Sequence, residues 1–453
     1  MSLVEGLLIF FAIIAIYAFS AFVLHKKGVL KKYNISFWGP VLMWRTNRGK
    51  KFLQKLARKK RFWKAYSSSG IVLCFIMMVL MTTMLIWQAW LVFGFTPEQK
   101  ESLPGPEVAL VIPGINPILP LEFIGYIILA LVVAMVVHEF SHGILTFAGK
   151  LKVKSLGILY CIVPIGAFCE PDDEELKNTT IKTRMRVYAA GPTSNFVVVL
   201  LTILVLSFGF MSAVQPAADG VSVLFVSEDT AAADIGLSPG MIISSINNTA
   251  ITNLQEYIEI MGVTQSNTPT EISYVQGEKK FTKEIILDDK SNITQNQSYL
   301  GQGYLGVRVS EAHKGFLSVL KNPFISFPDG FLLYYILPLW GYFQGYNPII
   351  APFTDSYIIT GPLSIIPTNV FWIIVNALYW IFWLNLAVAL FNVLPMVPLD
   401  GGFLFNDAIH SLVKRVKKDI SDTQRDKIVK NISIILSLSV LLLIIFPWLI
   451  KYI

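Results

Sequence analysis

LVVAMVVHEFSHG, residues 131–143, places His138, Glu139 and His142 inside an apolar run of the kind that crosses a bilayer. On a helix, positions i and i+4 share a face with Cβ atoms roughly 5 to 6 Å apart, so both imidazoles can reach one ion at about 2.0 to 2.1 Å. Glu139 then lies beside that ion and not on it. The H-E-x-x-H pattern suits a metal-activated water with a neighbouring carboxylate as proton acceptor, which is the chemistry of peptide hydrolysis. Charge near a bilayer centre costs about 2.5 to 17 kcal/mol depending on the measure, so residues that carry it face protein or a wet cavity and tend to mark function.

Outward from this run, the 453-residue chain is 54% hydrophobic and only 15% charged. That balance excludes an ordinary soluble globular protein and predicts a multi-span α-helical membrane protein. The net charge of +7 is no nucleic-acid footprint, because no nucleic-acid motif accompanies the cations. Cys74, Cys161 and Cys169 are too few for a disulfide framework or a cysteine-based zinc site.

About six spans are expected: Leu3–Leu24, Gly70–Phe93, one entering from Leu119, Tyr188–Phe210, Phe371–Leu394 and Ile432–Ile450. Residues 25–66 hold fourteen Lys or Arg and no Asp or Glu, so the positive-inside rule places them in the cytoplasm and the N-terminus outside. The loop reads as a solvated basic connection with no specific partner, and contact with anionic lipid would add nothing specific. His138 then sits about 28 Å along the third span, near its cytoplasmic end. In residues 155–186, Gly, Pro and β-branched side chains predict short strands. These form either a re-entrant hairpin beside the histidines or a peripheral loop with an acidic face at Glu170, Asp172, Asp173, Glu174 and Glu175. Gly191 and Asn195 lie one turn apart on the fourth span, where a small residue allows close packing and an amide offers donors. Residues 216–312 are polar, with twelve Asp or Glu against five Lys or Arg, and read as a small external α+β domain. Between 313 and 370, Leu332–Tyr342 is too short to span, and interfacial amphipathic segments are expected.

Two histidines leave a catalytic zinc one protein ligand short, the fourth position being kept for water. Leu145 and Ala148 stand where a third-histidine continuation would need Gly and His. The choice narrows to the acidic loop, Glu170 to Glu175, or Asp400. Asp400 is favoured because Pro395, Pro398, Gly401 and Gly402 break the helix around it, and because counting spans brings it to the same side as His142.

HEFSH at 138–142, GPTSN at 191–195 and NVLPMVPLDGG at 392–402 resemble, in order, the three signatures of the site-2 protease family of intramembrane zinc metalloproteases. The stretch Ala231 to Asn248 resembles a PDZ domain, a fold that recognises peptides by adding a strand to a sheet edge. The resemblance covers roughly residues 118–405. It implies His138, His142 and Asp400 as ligands of one zinc ion, Glu139 as general base, and Asn392 and Asn195 as groups that hold substrate or stabilise the oxyanion. It further implies single-span membrane-protein substrates, already cleaved once by another protease, in regulated intramembrane proteolysis at a cell membrane. Phe403 departs from the basic residue often found after the Asp-Gly-Gly. The first two spans and their basic loop lie outside the common core.

The expected domains are 1–117 (two spans and the basic loop), 118–215 (first catalytic part), 216–312 (the PDZ-like domain, extracytoplasmic), 313–370 (interfacial segments) and 371–453 (second catalytic part and last span). Two other classes fit the composition: an inactive scaffold acting through its PDZ-like groove, and a metal or proton transporter. The intact zinc residues count against the first. The lack of an inverted repeat counts against the second.

Overall fold

The computed structural model describes residues 3–38, 41–161, 163–416 and 420–452, with side chains at 3–11, 13, 38, 163–165 and 452 outside the description. Among the described residues, five helices are long and apolar enough to cross a membrane: Lys60–Phe93, Leu121–Ala148, Ile181–Ala213, Thr368–Asn392 and Asp422–Leu449. They fall on the second to sixth expected spans. The first expected span coincides with a backbone helix, Leu3–Lys26, ten of whose 24 side chains lie outside the description.

Helix ends follow local chemistry. Thr180 caps Ile181–Tyr188 through the Thr183 amide, and Ser421 with Gln424 closes a capping box at the start of Asp422–Leu449. The fourth apolar segment begins at Ile181, seven residues before the expected start at Tyr188, because the Thr180 cap satisfies the free amides there and Arg184 has a buried partner.

The chain forms two compact units. The first comprises residues 1–109, 127–200 and 381–453. It contains a four-stranded antiparallel meander: β1 (Ile35–Trp38), β2 (Val41–Thr46), β3 (Val153–Cys161) and β4 (Val163–Pro171), in that order across the sheet. The hairpin β3–β4 is the expected one. Its other half corrects the sequence reading, since the basic loop is no bare connection: Leu42 to Thr46 pair with Tyr160 to Leu156. Val41, Leu42, Met43 and Trp44 form a run with strand propensity, and pairing with β3 satisfies backbone groups that a loop would leave to water. The same basic segment supplies Leu53 and Ala57 to a buried cluster with Ile144, Leu145, Ala148, Val153, Leu156, Cys169, Val187 and Ala190.

The second unit comprises residues 110–126 and 201–380. Its main sheet is antiparallel, in the order Lys279–Ile286, Pro269–Gln276, Ile242–Ile246, Val221–Val226, Val307–Ser310. Val223, Ile243, Ile246, Ile272 and Tyr257 build its core, Tyr257 coming from the helix Leu254–Val263 that Asn253 caps. The expected Asn-Asn turn is present, with Asn247 and Asn248 at φ of 46° and 60°. Between 313 and 370 the main helices are Ala312–Lys321 and Asp329–Gln344, and neither is among the five candidate spans.

Candidate metal centre

All the residues of the centre belong to the first unit. His138 and His142 lie one turn apart on the helix Ile124–Ala148, both buried, with ring centroids 4.8 Å apart and planes inclined by 70°. The His142 Nδ1–H donates to the Val187 carbonyl at 2.7 Å. This fixes the tautomer and turns a lone pair on Nε2 outward, as a metal-binding histidine requires.

Asp400 is the first residue of the helix Asp400–Val416, where the helix dipole favours a carboxylate. Before it, Asn392 closes one helix, and the chain from Val393 to Leu399 folds back over the new helix's first turn. A side chain on Gly402 would stand 2.6 Å from the backbone of Met396 and Val397, so the turn closes only without one. Asp400 Oδ2 approaches His138 Nε2 at 3.0 Å and His142 Nε2 at 3.3 Å. Yet Oδ2 makes no hydrogen bond of acceptable angle. Three lone-pair donors thus converge, their ligand atoms all within 4.8 Å of one another, without bonding among themselves. Two imidazoles and a carboxylate form a donor set that suits zinc with one position left open, so the residues present fit the ion.

Most of the rival carboxylates are engaged elsewhere, Asp173 facing Lys154 at 3.6 Å. Glu170 accepts from Ser155 at 2.6 Å and faces Arg45 at 3.5 Å, Asp172 caps the helix Asp173–Asn178, and Glu175 pairs with Lys152. Glu139 is not one of the three converging donors; its Oε2 accepts the backbone N–H of Cys169 on β4 at 2.8 Å.

The helix Ala190–Leu204 forms another wall. A Cβ on Gly191 would lie 2.5 Å from His138 Nε2 and 2.6 Å from His142 Nε2, so only glycine leaves that space open. Asn195 is fully buried, with neither amide atom hydrogen-bonded. The Asn392 amide donates to the Val388 carbonyl of its own helix at 3.0 Å. Phe403 stacks on Tyr188, centroids 5.2 Å apart, which shows what an aromatic gains at that position.

Several contributors escaped the sequence reading. Ser141 donates to Ser194 at 2.6 Å, and Ser194 shares a 2.7 Å hydrogen bond with Tyr66, tying the HEFSH and GPTSN helices to the helix Lys60–Phe93. Arg184 grips Asp407 through Nε, at 3.1 Å to both oxygens, and through its terminal nitrogen at 2.6 Å. This pair joins the helix that holds His142 in its tautomer to the helix that presents Asp400. One signal was available: Asp407 follows Asp400 by two helical turns, and is acidic in a segment without other acids nearby.

A family model described as Peptidase family M50 matches residues 126–440. An uncharacterized protein of Methanocaldococcus jannaschii is 26% identical over 390 residues, covering 86% of this chain and 83% of its own length. A membrane-bound transcription factor site-2 protease homolog of Arabidopsis thaliana is 22% identical over 42% of this chain and 34% of its own. Among solved structures, the PDZ domain of an SdrC-like protein from Listeria monocytogenes is 26% identical, covering 21% of this chain and 90% of its own, with a TM-score of 0.18. The corresponding domain from Listeria innocua is 28% identical over 20% of this chain and 93% of its own, with a TM-score of 0.17.

Proposed function

The chain belongs to peptidase family M50, and on that premise we propose that it is an intramembrane zinc metalloprotease hydrolysing peptide bonds within transmembrane segments of membrane-protein substrates. The convergence of His138, His142 and Asp400 in a chain with five apolar helices carries this reading. His138, His142 and Asp400 hold the ion. Bound there, zinc supplies Lewis-acid polarisation of the scissile carbonyl and a water whose pKa falls to about 7.

Glu139 is the general base. The Cys169 amide anchors one carboxylate oxygen and leaves the other to take a proton from the attacking water and pass it to the leaving amine. Asn392 gives its amide to the substrate or the developing oxyanion by releasing the Val388 carbonyl, and the buried Asn195 amide serves the same region. A helical substrate hides its amides, so it must unwind. β4 is the sheet edge, and a strand added there would satisfy the freed backbone while holding it beside Glu139.

Span counting and the positive-inside rule orient the molecule with its N-terminus and PDZ-like domain outside a cell membrane and the zinc site near the cytoplasmic face. The external domain then screens single-span substrates that another protease has already trimmed, which is the logic of regulated intramembrane proteolysis. The test is metal content and helix-substrate cleavage of the wild type, Glu139→Ala and Asp400→Ala in parallel. Glu139→Ala is expected to keep zinc and lose cleavage, and Asp400→Ala to lose both; cleavage retained by Glu139→Ala overturns the assignment.

A further inference from the structure

The basic segment between the first helix and Lys60 has no part in the chemistry above, yet it is folded. At the open end of the four-stranded sheet, its residues border a cavity of about 1010 Å³ lined by Lys31, Arg45, Arg48, Lys51 and Lys154. Two of these cations have carboxylate partners: Arg45 faces Glu170 at 3.5 Å and Lys154 faces Asp173 at 3.6 Å. Among the described residues, no carboxylate lies within ion-pair distance of Lys31, Arg48 or Lys51. Asn34, Ser36, Thr46 and Asn47 add short polar side chains to the same wall. A concave site with surplus positive charge and several hydrogen-bonding groups suits a phosphate-bearing anion.

The surroundings identify its source. The segment also exposes Val29, Tyr33, Phe52 and Leu56, apolar and aromatic side chains interleaved with the cations. Lysine and arginine beside exposed apolar groups, next to the end of a helix long enough to cross a membrane, match the composition expected at a bilayer surface.

The cavity is also linked to the reacting groups through the sheet. Arg45 pairs in register with Gly157, and Gly157 with Phe168. The Arg45 guanidinium lies over the Phe168 ring at 5.7 Å. Phe168 precedes Cys169, whose amide holds Glu139. We propose that this cavity binds the phosphate headgroup of an anionic lipid, and that the bound lipid fixes the β1–β2 hairpin on the sheet whose edge positions Glu139. The lipid site itself does not depend on the protease reading.

The experiment uses the full chain in neutral detergent, with retention of added phosphatidylglycerol or phosphatidylcholine followed by native mass spectrometry. The wild type is expected to retain phosphatidylglycerol in preference. Arg48→Ala/Lys51→Ala should weaken that retention roughly 30-fold, which is about 2 kcal/mol at 1.4 kcal/mol per factor of ten. Lys59→Ala/Lys60→Ala, in the same segment but not lining the cavity, should retain it. Deuterium exchange at residues 41–46 should slow on lipid addition in the wild type and not in the Arg48/Lys51 variant. Equal losses in both double variants would reduce the effect to diffuse charge and overturn the site. Displacement of the lipid by inorganic phosphate or by an acidic peptide at comparable concentration would overturn the lipid as its occupant.

Discussion

Gly191→Ala asks the most of the site's geometry, because helix propensity and the site pull in opposite directions. In a helix interior, Gly→Ala ordinarily adds about 1 kcal/mol of stability. Here the new methyl would stand 2.5 Å from His138 Nε2 and 2.6 Å from His142 Nε2, whereas carbon contacts settle at about 3.5 to 4.0 Å. Both imidazoles must therefore retreat by about 1 Å, at an overpacking cost of about 1 to 3 kcal/mol that the propensity gain partly offsets. The fold should survive with a melting temperature within a few degrees of the wild type. The metal geometry should not survive, and a displacement of about 1 Å costs on the order of 100-fold in rate. We expect zinc per chain to fall well below one and cleavage to fall at least about 100-fold, measured by elemental analysis and a helix-substrate assay. Gly125→Ala, on the HEFSH helix but with open space around its Cβ, is the control and should be neutral or slightly stabilising. A Gly191→Ala protein that binds a full equivalent of zinc and cleaves normally would refute the placement of the two rings against this helix.

Asp407→Asn should destabilise the first unit by about 3 to 5 kcal/mol, since it leaves the half-buried Arg184 guanidinium without its carboxylate. Arg184→Met/Asp407→Leu should recover much of that loss in the same thermal-unfolding measurement, while still impairing cleavage by loosening the link between the ligand helices. Leu53→Ala, at a fully buried position beside Gly143 and Cys169, should cost about 2 to 5 kcal/mol; a loss below about 0.5 kcal/mol would mean that the basic segment is not part of the core. His313 supplies a pH test in the second unit. It is completely buried, and burial, helped by the neighbouring Lys314, lowers its pKa to about 4. The folded protein therefore takes up this proton later than the unfolded chain. Its stability contribution is complete above pH 6.5 and is lost as pH falls from 6.5 through 4, by up to about 3 kcal/mol. Unfolding midpoints between pH 7.5 and 4 should show this slope for the wild type, and His313→Gln should flatten it.

The sequence by itself determined whatever depends on short separations along the chain. Helical spacing put His138 and His142 on one face, runs of apolar residues marked the spans, and the Pro and Gly residues around Asp400 announced a break that lets a carboxylate turn inward. The Asn-Asn turn and the β3–β4 hairpin were legible for the same reason, since turn chemistry and strand propensity act over a few residues. The tertiary structure alone decided the pairings across long separations. It brought the carboxylate of Asp400, which the sequence already favoured, within 4.8 Å of both histidine ligand atoms, while Glu170, Asp172 and Glu175 found partners of their own. It also turned the basic loop into two strands, because β2 finds its hydrogen-bond partner in β3 more than a hundred residues later, and no periodicity within residues 25–66 encodes where that partner lies. Gly191 reads as a packing residue until the two imidazoles stand in front of it, and Arg184 reads as a membrane anchor until Asp407 meets it. Local patterns specify which groups face one side of an element; which side of another element they meet is fixed only when burial and backbone hydrogen bonding are satisfied for the whole unit at once.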